Sequence, residues 1–285
     1  MRLYFIRPPR DPNPLLEEVY ALLRERGCQV EVGVPDETVL GLDVAAQHDL
    51  YILKAREPLP LSVAGMFHYL GARVLNPYDS CTVVMNKYVS TAMMRAAGIP
   101  TPRSWAATDL SLLNGFAAAS QQTLIIKPYQ GIHGDGIFVV RRPEDLESMP
   151  APEEPMIVQE FIDGCRWRYK VFGVGERIFA TRKPFGLGGR HGKAPGQQWV
   201  VTPEMEDIAL RCGRLFGLGL YGLDILEGPD GPVVVDVNTF PGYGSQPGIA
   251  HVIAEYIEDY ARGRYELRPP APLAVASAAR RAAVA

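Results

Sequence analysis

A single hairpin with one polar face constrains the fold of this chain more than any other stretch, namely residues 221–244, YGLDILEGPDGPVVVDVNTFPGYG. Two apolar runs flank the tetrapeptide GPDG, which is typical of a turn. A turn centred on Asp230 places Asp224 directly opposite Asp236, on the same face of the pair. Asn238, two residues further on, points to that face as well. The residues predicted to face a core on the other side are Leu223, Ile225, Val235 and Val237.

The polar face of this hairpin predicts a metal site. Two carboxylates about 5 Å apart repel each other unless a proton or a cation lies between them. The side chains of Asp224, Asp236 and Asn238 offer hard oxygen ligands, without a thiol or an imidazole. Such a set suits Mg²⁺ better than Zn²⁺, and Mg²⁺ completes its shell with water and phosphate oxygens. The alternative is a plain hairpin whose two aspartates face solvent near a turn.

Composition and charge limit the function classes. The chain has 285 residues and a formal net charge of -3, so it lacks the basic footprint of a nucleic-acid-binding protein. No stretch is apolar enough for a spanning helix, and residues 1–10 lack the core of a signal peptide. We therefore expect a cytoplasmic protein with no nucleic-acid or membrane partner. Its scattered cysteines are expected to be reduced thiols, namely Cys28, Cys81, Cys165 and Cys212.

The first part of the chain, residues 1–85, alternates short apolar strands with helical segments, which predicts a small parallel α/β subdomain. Ligands of such sheets bind beyond the carboxyl ends of the strands. Four cations fall there and are predicted to line a pocket for an anionic substrate, the alternative being solvated loop charges. They are Arg7, Arg10, Lys54 and Arg56.

A lysine and a glycine-rich loop predict a phosphate site. Lys127 ends the apolar segment LIIK and is followed by Gly131, Gly134 and Gly136. Glycines allow backbone N–H groups to approach an anion closely, and the lysine adds a point charge. The loop leads into a strand at residues 137–141, so it is neither the phosphate loop of the common NTPases nor a Rossmann fingerprint.

A second hairpin is predicted across Gly175-Glu176, from strands at residues 168–174 and 177–183. Alternation places Arg166, Arg168 and Lys170 on one side, with Lys183 paired to that side and Arg182 to the other. Residues 185–198 are rich in glycine and basic, and we expect them to be a mobile segment that closes over a site. Helices are predicted at residues 86–97, 203–215 and 251–262, and a frayed tail at residues 267–285.

Four motifs in order resemble the RimK-like branch of the ATP-grasp superfamily over about residues 70–262: NKYVSTAMMRAAGIPTP, LIIKPYQGIHGDGI, IVQEFIDG and GLDILEGPDGPVVVDVN. The resemblance implies a mixed α/β (α+β) fold, in which a parallel N-terminal α/β subdomain precedes two antiparallel-sheet subdomains that clamp ATP. The subdomains implied are residues 1–85, 86–157 and 158–265, followed by a disordered tail at residues 266–285.

The resemblance also implies roles for individual residues. The metal ligands are Asp224, Asp236 and Asn238, holding one or two Mg²⁺ ions with Mn²⁺ as a substitute. The residues implied to bind ATP are Lys87, Lys127, Gly131, Gly134, Gly136, Gln159, Glu160, Phe161, Ile162 and Asp163. The residues implied to offset charge in catalysis are Arg182, Lys170 and Arg168. The chain departs from the branch at Asp236, where glutamate is usual, and in CRWR, which leaves Asp163 as the ribose contact.

The function implied is an ATP-driven carboxylate–amine ligase that forms an amide through an acyl phosphate. DVNTFPGYG and RYKVFGVGE also resemble the inositol-trisphosphate 5/6-kinases, so an ATP-dependent small-molecule kinase is the alternative. A nucleotide-binding regulatory module is a third interpretation, which the intact metal triad disfavours. The expected partner is a small-molecule or peptide substrate with negative charge, and the sequence is compatible with a homo-oligomer.

Overall fold

The computed structural model describes residues 1–9, 13–129, 136–186, 196–244 and 246–273. These residues form three β-sheets with helices packed against them. The helices are α1 (Pro14–Glu25), α2 (Pro58–Tyr69), α3 (Tyr78–Met85), α4 (Lys87–Ala96), α5 (Ser111–Ser120), α6 (Pro203–Phe216) and α7 (Ile249–Ala261). The strands are β1 (Arg2–Ile6), β2 (Gln29–Gly33), β3 (Leu50–Leu53), β4 (Val74–Leu75), β5 (Ser104–Ala107), β6 (Leu124–Pro128), β7 (Phe138–Val140), β8 (Met156–Glu160), β9 (Trp167–Val174), β10 (Arg177–Pro184), β11 (Gln197–Trp199), β12 (Leu220–Gly228) and β13 (Gly231–Thr239).

The N-terminal sheet is parallel, in the order β2-β1-β3-β4. Its apolar strands are buried because helices cover them, as the alternation of strands and helices predicts. Phe5 of β1 shares one core cluster with Val19 of α1 and with Ile253 of α7. That cluster also contains Phe172 of β9, so the N-terminal sheet and the C-terminal part of the chain share apolar packing. The carboxyl ends of β1 and β3 are thereby held close to the last third of the chain.

The central sheet is antiparallel, in the order β5-β8-β6-β7, and α5 covers it. Ile126 and Val158 pair directly and belong to its core. The predicted boundary at residue 157 falls inside β8, which continues to Glu160. Met94 of α4 packs with the core of the next sheet and not with this one.

The C-terminal sheet is antiparallel, in the order β11-β10-β9-β12-β13. Helix α6 is capped at its start by Thr202, whose side chain accepts a hydrogen bond from Met205 N, and at its end by Gly217 with φ +60°. Its buried face, which includes Ile208, packs on one side of the sheet against Leu223 and Ile225. The other side of β12 and β9 carries the polar residues of the candidate site.

The hairpin of β12 and β13 confirms the predicted opposition of Asp224 and Asp236, but it contains a β-bulge. The turn is the two-residue loop between Gly228 and Gly231, so the register shifts between Asp224 and Ile225. Ile225 therefore pairs with Val234, and the prediction that Val235 faces the core is wrong. Val234 is buried in its place and Val235 is only half-buried, because the extra residue of a bulge reverses the alternation on one side of it.

The mixed α/β fold with one parallel sheet and two antiparallel sheets confirms the predicted fold class. Helices α3 and α5 and strands β5 and β11 were not predicted from the sequence. The predicted tail is packed at its start, since Leu267 contacts the core shared by α1 and α7. The remainder of the tail, residues 274–285, lies outside the described residues. Among the helices that the structure describes, none has the length and apolar character needed to cross a bilayer.

Candidate active site

The polar face of the hairpin gathers the three predicted metal ligands. Asp224 is buried, with only 4% of its surface exposed, and Asn238 is buried beside it. Nδ2 of Asn238 donates a hydrogen bond of 3.4 Å to Oδ2 of Asp224. Asp236 lies directly opposite Asp224 across the strand pair and is half-buried. Two carboxylates and one carboxamide thus lie on one side of the sheet.

Strand β9 brings two cations to the same carboxylate. Arg168 Nη2 lies 3.0 Å from Oδ1 of Asp224, and Lys170 Nζ lies 4.0 Å from that oxygen. Burial by itself raises the pKa of Asp224, but the nearby charges of Lys170 and Arg168 more than offset it and hold the pKa below its ordinary value. Asp224 is therefore ionised at neutral pH and available as an anionic ligand.

Lys127 approaches the hairpin from the central sheet. Its Nζ donates a 3.4 Å hydrogen bond to the carbonyl oxygen of Val235, the bulge residue. Burial lowers the pKa of Lys127 to about 8, and the neighbouring Lys87 acts in the same direction, while Asp236 opposes the shift. The amine is thus close to Asp236 and poised to gain charge stabilisation from an added anion.

A narrow cavity joins the two antiparallel sheets at this point. It is bounded by α4, β8 and β13, and Lys87, Gln159 and Asp236 all border it. Its other lining residues are Ser90, Thr91, Met94, Ile157, Val235 and Val237. The structure therefore brings Lys87, the first hinge residue and one predicted metal ligand together around a small cavity of about 10 Å³.

The predicted hinge, residues 159–163, begins in β8 and continues beyond it. Gln159 is buried and donates through Nε2 to Ser104 Oγ at 2.9 Å, so its side chain serves the central sheet. Glu160 forms an ion pair with Arg103 at 3.4 Å. The backbone N–H of Phe161 donates to Thr123, and Asp163 Oδ1 accepts from Gly164 N at 2.9 Å. Ile162 is half-buried, and its backbone carbonyl oxygen accepts a hydrogen bond from Sγ of Cys165.

The glycine loop is described only at its end. Gly131 and Gly134 lie outside the described residues, and Gly136 has φ +71°, a conformation that favours glycine. A Cβ at Gly136 would lie 2.9 Å from Pro128, so only glycine allows this approach. Most of the predicted mobile segment, residues 187–195, also lies outside the described residues.

The structure does not bring Arg182 to this site. The strand pairing places Arg182 opposite Tyr169, on the α6 side of the sheet, whereas Lys170 shares the side of Asp224. Its guanidinium carbon lies 3.7 Å from the ring centroid of Trp199 and 4.2 Å from that of Trp167. The guanidinium is thus held between two indole rings, away from the carboxylates, and Arg182 is not positioned as a catalytic cation. On the β9–β10 hairpin, a third cation on the side of Arg168 and Lys170 is Lys183, which pairs with Arg168 across the hairpin, as predicted.

Arg56 makes a contact with the hairpin that was not predicted from the sequence. It follows β3 in the N-terminal sheet, and its Nη2 donates a short hydrogen bond to Oδ1 of Asn238. Lys54 Nζ, from the same segment, lies 5.5 Å from the ring centroid of Phe240. Arg7 forms an ion pair with Glu17 at 3.1 Å, and Arg10 lies outside the described residues. The position of Arg56 beyond a parallel strand indicated a ligand-binding role. Its contact with Asn238 could not be predicted, because the two residues are far apart in the sequence.

The donor set fits a hard divalent cation. Within the described part of the chain, no three histidine, cysteine, aspartate or glutamate side chains cluster in a way that could hold a metal ion. Asp224 and Asp236 supply two carboxylates and Asn238 an amide oxygen, all of them oxygen donors. Mg²⁺ typically binds one or two carboxylates when phosphate oxygens and water complete its shell, and this site offers two.

The sequence and the fold are similar to those of known proteins. The sequence pattern of the RimK-like ATP-grasp domain matches residues 84–249. A protein of Teredinibacter turnerae named probable alpha-L-glutamate ligase is 28% identical over 222 residues, which are 70% of this chain and 72% of the relative. A RimK domain protein of Sphaerobacter thermophilus has a TM-score of 0.73 at 16% identity, covering 90% of this chain and 99% of that one. The ATP-grasp ligase PsnB, solved with a minimal precursor, Mg and ADP, has a TM-score of 0.66 at 20% identity, covering 90% and 96%.

Proposed function

Because the chain belongs to the RimK-like ATP-grasp family, we propose that its site activates a substrate carboxylate with ATP and transfers the acyl group to an amine. The enzyme is an ATP-dependent carboxylate–amine ligase. The observation that carries the proposal for the site is that residues 84–249, which match the family, contain the whole hairpin and Lys127. The hairpin and this lysine meet at the bulge of β13.

We assign the nucleotide to the cleft between the central and C-terminal sheets. Lys127 and Lys87 contact its phosphates, and the backbone of residues 159–162 contacts its base. Asp224, Asp236 and Asn238 hold Mg²⁺, which when bound offsets charge on the phosphates and orients them. The fixed cations of this chain act on the same charge, because groups that need no reorganisation stabilise developing charge best. Arg168 and Lys170 are those cations, since both already lie at the carboxylate of Asp224.

The reaction has two displacement steps. A carboxylate oxygen of the substrate attacks the γ-phosphorus, the bond from that phosphorus to the bridging oxygen breaks, and ADP leaves. The amine nitrogen then attacks the acyl carbon of the acyl phosphate, the carbon–oxygen bond to phosphate breaks, and inorganic phosphate leaves as the nitrogen loses a proton. Neither step needs a side-chain nucleophile, and the role of the chain is positioning and charge stabilisation.

We propose an acidic amino acid or an acidic peptide as the acyl substrate. The positive charge near the hairpin exceeds the negative charge of Asp224 and Asp236. The cations are Arg56, Lys87, Lys127, Arg168, Lys170 and Lys183. Arg56 is placed to bind the substrate carboxylate, because a guanidinium pairs with a carboxylate in a bidentate geometry. The name of the T. turnerae relative, probable alpha-L-glutamate ligase, supports glutamate as the first acid to test.

A coupled assay of ADP release tests the proposed function. The protein is incubated with MgATP, one acid from a panel of amino acids and acidic peptides, and one amine, and products are analysed by mass. We expect ADP and phosphate to form in equal amounts with an amide, and the Asp236→Asn variant to be inactive. The resemblance to inositol-trisphosphate 5/6-kinases stays a prediction, so the panel includes inositol phosphates. ADP release with an inositol phosphate but with no acid–amine pair would contradict the ligase.

A further inference from the structure

A cavity of about 650 Å³ lies at the opposite end of the C-terminal sheet from the candidate active site. It is formed by the β9–β10 turn, by α6 and α7, and by residues 264–268, which follow α7. Tyr221 borders it on the α6 side of β12, whereas Asp224 lies three residues further on, on the other face. Val174 borders it as well, from the face of β9 that carries Lys170, but four residues nearer to the β9–β10 turn. The cavity therefore lies beyond the strand ends at this turn, and the proposed ligase reaction makes no use of it.

The floor of the cavity is apolar and aromatic. Tyr221 and Tyr256 are buried, and the ring of Tyr265 stacks on that of Tyr256 at a centroid distance of 5.2 Å and an angle of 21°. The hydroxyl of Tyr221 is already engaged, because it donates to the carbonyl oxygen of Ala209. The aliphatic residues of the floor are Val174, Leu210, Leu218, Val252 and Leu267. Such a surface is suited to an apolar or aromatic group, and the volume lies within the range of small-molecule sites.

The rim carries charges of both signs, and most of them are paired with one another. Arg177 pairs with Glu255 at 2.9 Å. The other pairs are Arg214 with Glu176 at 3.4 Å and Arg264 with Asp259 at 2.6 Å. Within the described residues, Glu266 and Arg268 have no ion-pair partner, although both border the cavity. They lie two positions apart, with the half-buried Leu267 between them.

We propose that this cavity binds a small zwitterion, namely a free amino acid or a dipeptide with an aromatic side chain. Arg268 receives its carboxylate, Glu266 receives its ammonium group, and the aromatic side chain lies on the floor formed by Tyr256 and Tyr265. An anion alone would meet Glu266, and a cation alone would meet Arg268, so the pair favours a ligand with both charges. The site is separate from the one in which ATP and the acyl substrate react.

Calorimetric titration of the full chain with L-phenylalanine tests the proposal, with N-acetyl-L-phenylalanine amide as the uncharged comparison. We expect L-phenylalanine to bind at millimolar concentrations or below, and the blocked compound to bind about tenfold more weakly, because exposed ion pairs contribute up to about 1 kcal/mol each. The double substitution Glu266→Gln, Arg268→Gln should weaken the binding of L-phenylalanine by a similar factor. Leu210→Trp should abolish it by filling the floor.

The matched control is the double substitution Arg142→Gln, Glu144→Gln, which removes one charge of each sign from the central subdomain. It should leave the affinity for L-phenylalanine unchanged, and thermal unfolding should show that all variants are folded. Equal affinity for the zwitterion and the blocked compound would overturn the proposal. An affinity that is unchanged in Leu210→Trp and in the Glu266, Arg268 variant would also overturn it, since binding would then be at another site. The absence of binding by any of these compounds at millimolar concentrations would overturn it as well.

Discussion

Arg56 Nη2 donates a hydrogen bond to Oδ1 of Asn238, which lies 182 positions further along the chain. Asn238 in turn donates to Asp224, so a cation from the N-terminal sheet is linked through one amide to the buried carboxylate of the hairpin. The subdomain that the sequence predicts to bind an anionic substrate thus contacts the predicted metal ligands. We infer that the acyl substrate and the phosphates of ATP meet at this contact.

Replacing Arg56 tests that inference. Arg56→Ala should raise the KM for the acid substrate by about 10-fold to 100-fold, the range for the loss of a hydrogen bond to a charged group. The KM for MgATP should change much less. Arg56→Lys should restore part of the loss, since it keeps the charge and loses the bidentate geometry. Steady-state kinetics with Arg142→Ala as a surface control provide the measurement, and an effect confined to the KM for MgATP would place Arg56 at the nucleotide instead.

Replacing either aspartate of the hairpin should abolish activity, but the two replacements should differ in their effect on the free energy of unfolding. Asp224 is buried beside Arg168, so Asp224→Asn should lower the free energy of unfolding at pH 7 by about 1–3 kcal/mol. Asp236 is half-buried and faces a like charge, so Asp236→Asn should change it by about 0.5 kcal/mol or less. Both substitutions should abolish turnover with MgATP.

The pH dependence of this difference is a further check. The pKa of Asp224 is held below its ordinary value, so the stability that it contributes is present above the unfolded pKa, about 3.9, and is lost as pH falls through the folded value. Denaturant unfolding should therefore show the deficit of Asp224→Asn shrinking as the pH is lowered below about 4. A deficit that is the same at pH 7 and in acid would show that packing, and not the ionised carboxylate, is what the substitution removes.

The position of Arg182 between two indole rings predicts a structural role. Arg182→Met should lower the free energy of unfolding by about 1–3 kcal/mol, because a desolvated cation–π contact contributes about 2 kcal/mol. Arg168→Met removes a cation that touches Asp224 and should lower kcat by about 100-fold or more. Measuring kcat per folded molecule for both variants separates the roles, and a larger loss of kcat for Arg182→Met would contradict the assignment.

Lys127 should link ATP binding to proton uptake. Its pKa is lowered to about 8 by burial, so much of the amine is neutral above that pH, whereas binding phosphate favours the charged form. The affinity for ATP should therefore fall as pH rises through about 8, with uptake of up to about one proton per ATP at pH 8.5. Calorimetry in buffers of different ionisation enthalpy measures this, and Lys127→Arg, which stays charged, should take up almost none. Equal uptake by the two proteins would show that another group titrates.

The hairpin and its turn were predictable because GPDG lies between two apolar runs. A regular two-residue turn between Gly228 and Gly231 would pair Asp224 with Val235, so the opposition of Asp224 and Asp236 also depends on the bulge. The bulge itself was not predictable, because Val234 and Val235 are the same residue type and either could face the core. Strand β5 and helix α5 were missed for a related reason: SWAA and SLLNGFAAAS contain many small residues and give a weak apolar period.

Contacts between distant parts of the chain set the other limit. The pairing of Arg182 to the side away from Lys170 followed from the turn at Gly175, and the structure confirms it. The two indoles around its guanidinium belong to Trp167 and Trp199. Trp199 lies on a strand that was not predicted, so the contact of Arg182 with two indole rings could not be predicted from the sequence. The resemblance to RimK-like sequences supplied a catalytic role for Arg182 that its surroundings do not support.

The fate of a carboxylate oxygen tests the central claim most directly. The protein is given MgATP, an amine and L-glutamate, or the acid that the ADP screen selects, labelled with ¹⁸O in its carboxylates, and the phosphate released is analysed by mass. A carboxylate–amine ligase that works through an acyl phosphate must transfer one ¹⁸O from the acid to inorganic phosphate for each amide formed. Unlabelled phosphate, or a γ-phosphoryl group retained on a stable hydroxyl product with no phosphate released, would contradict the account.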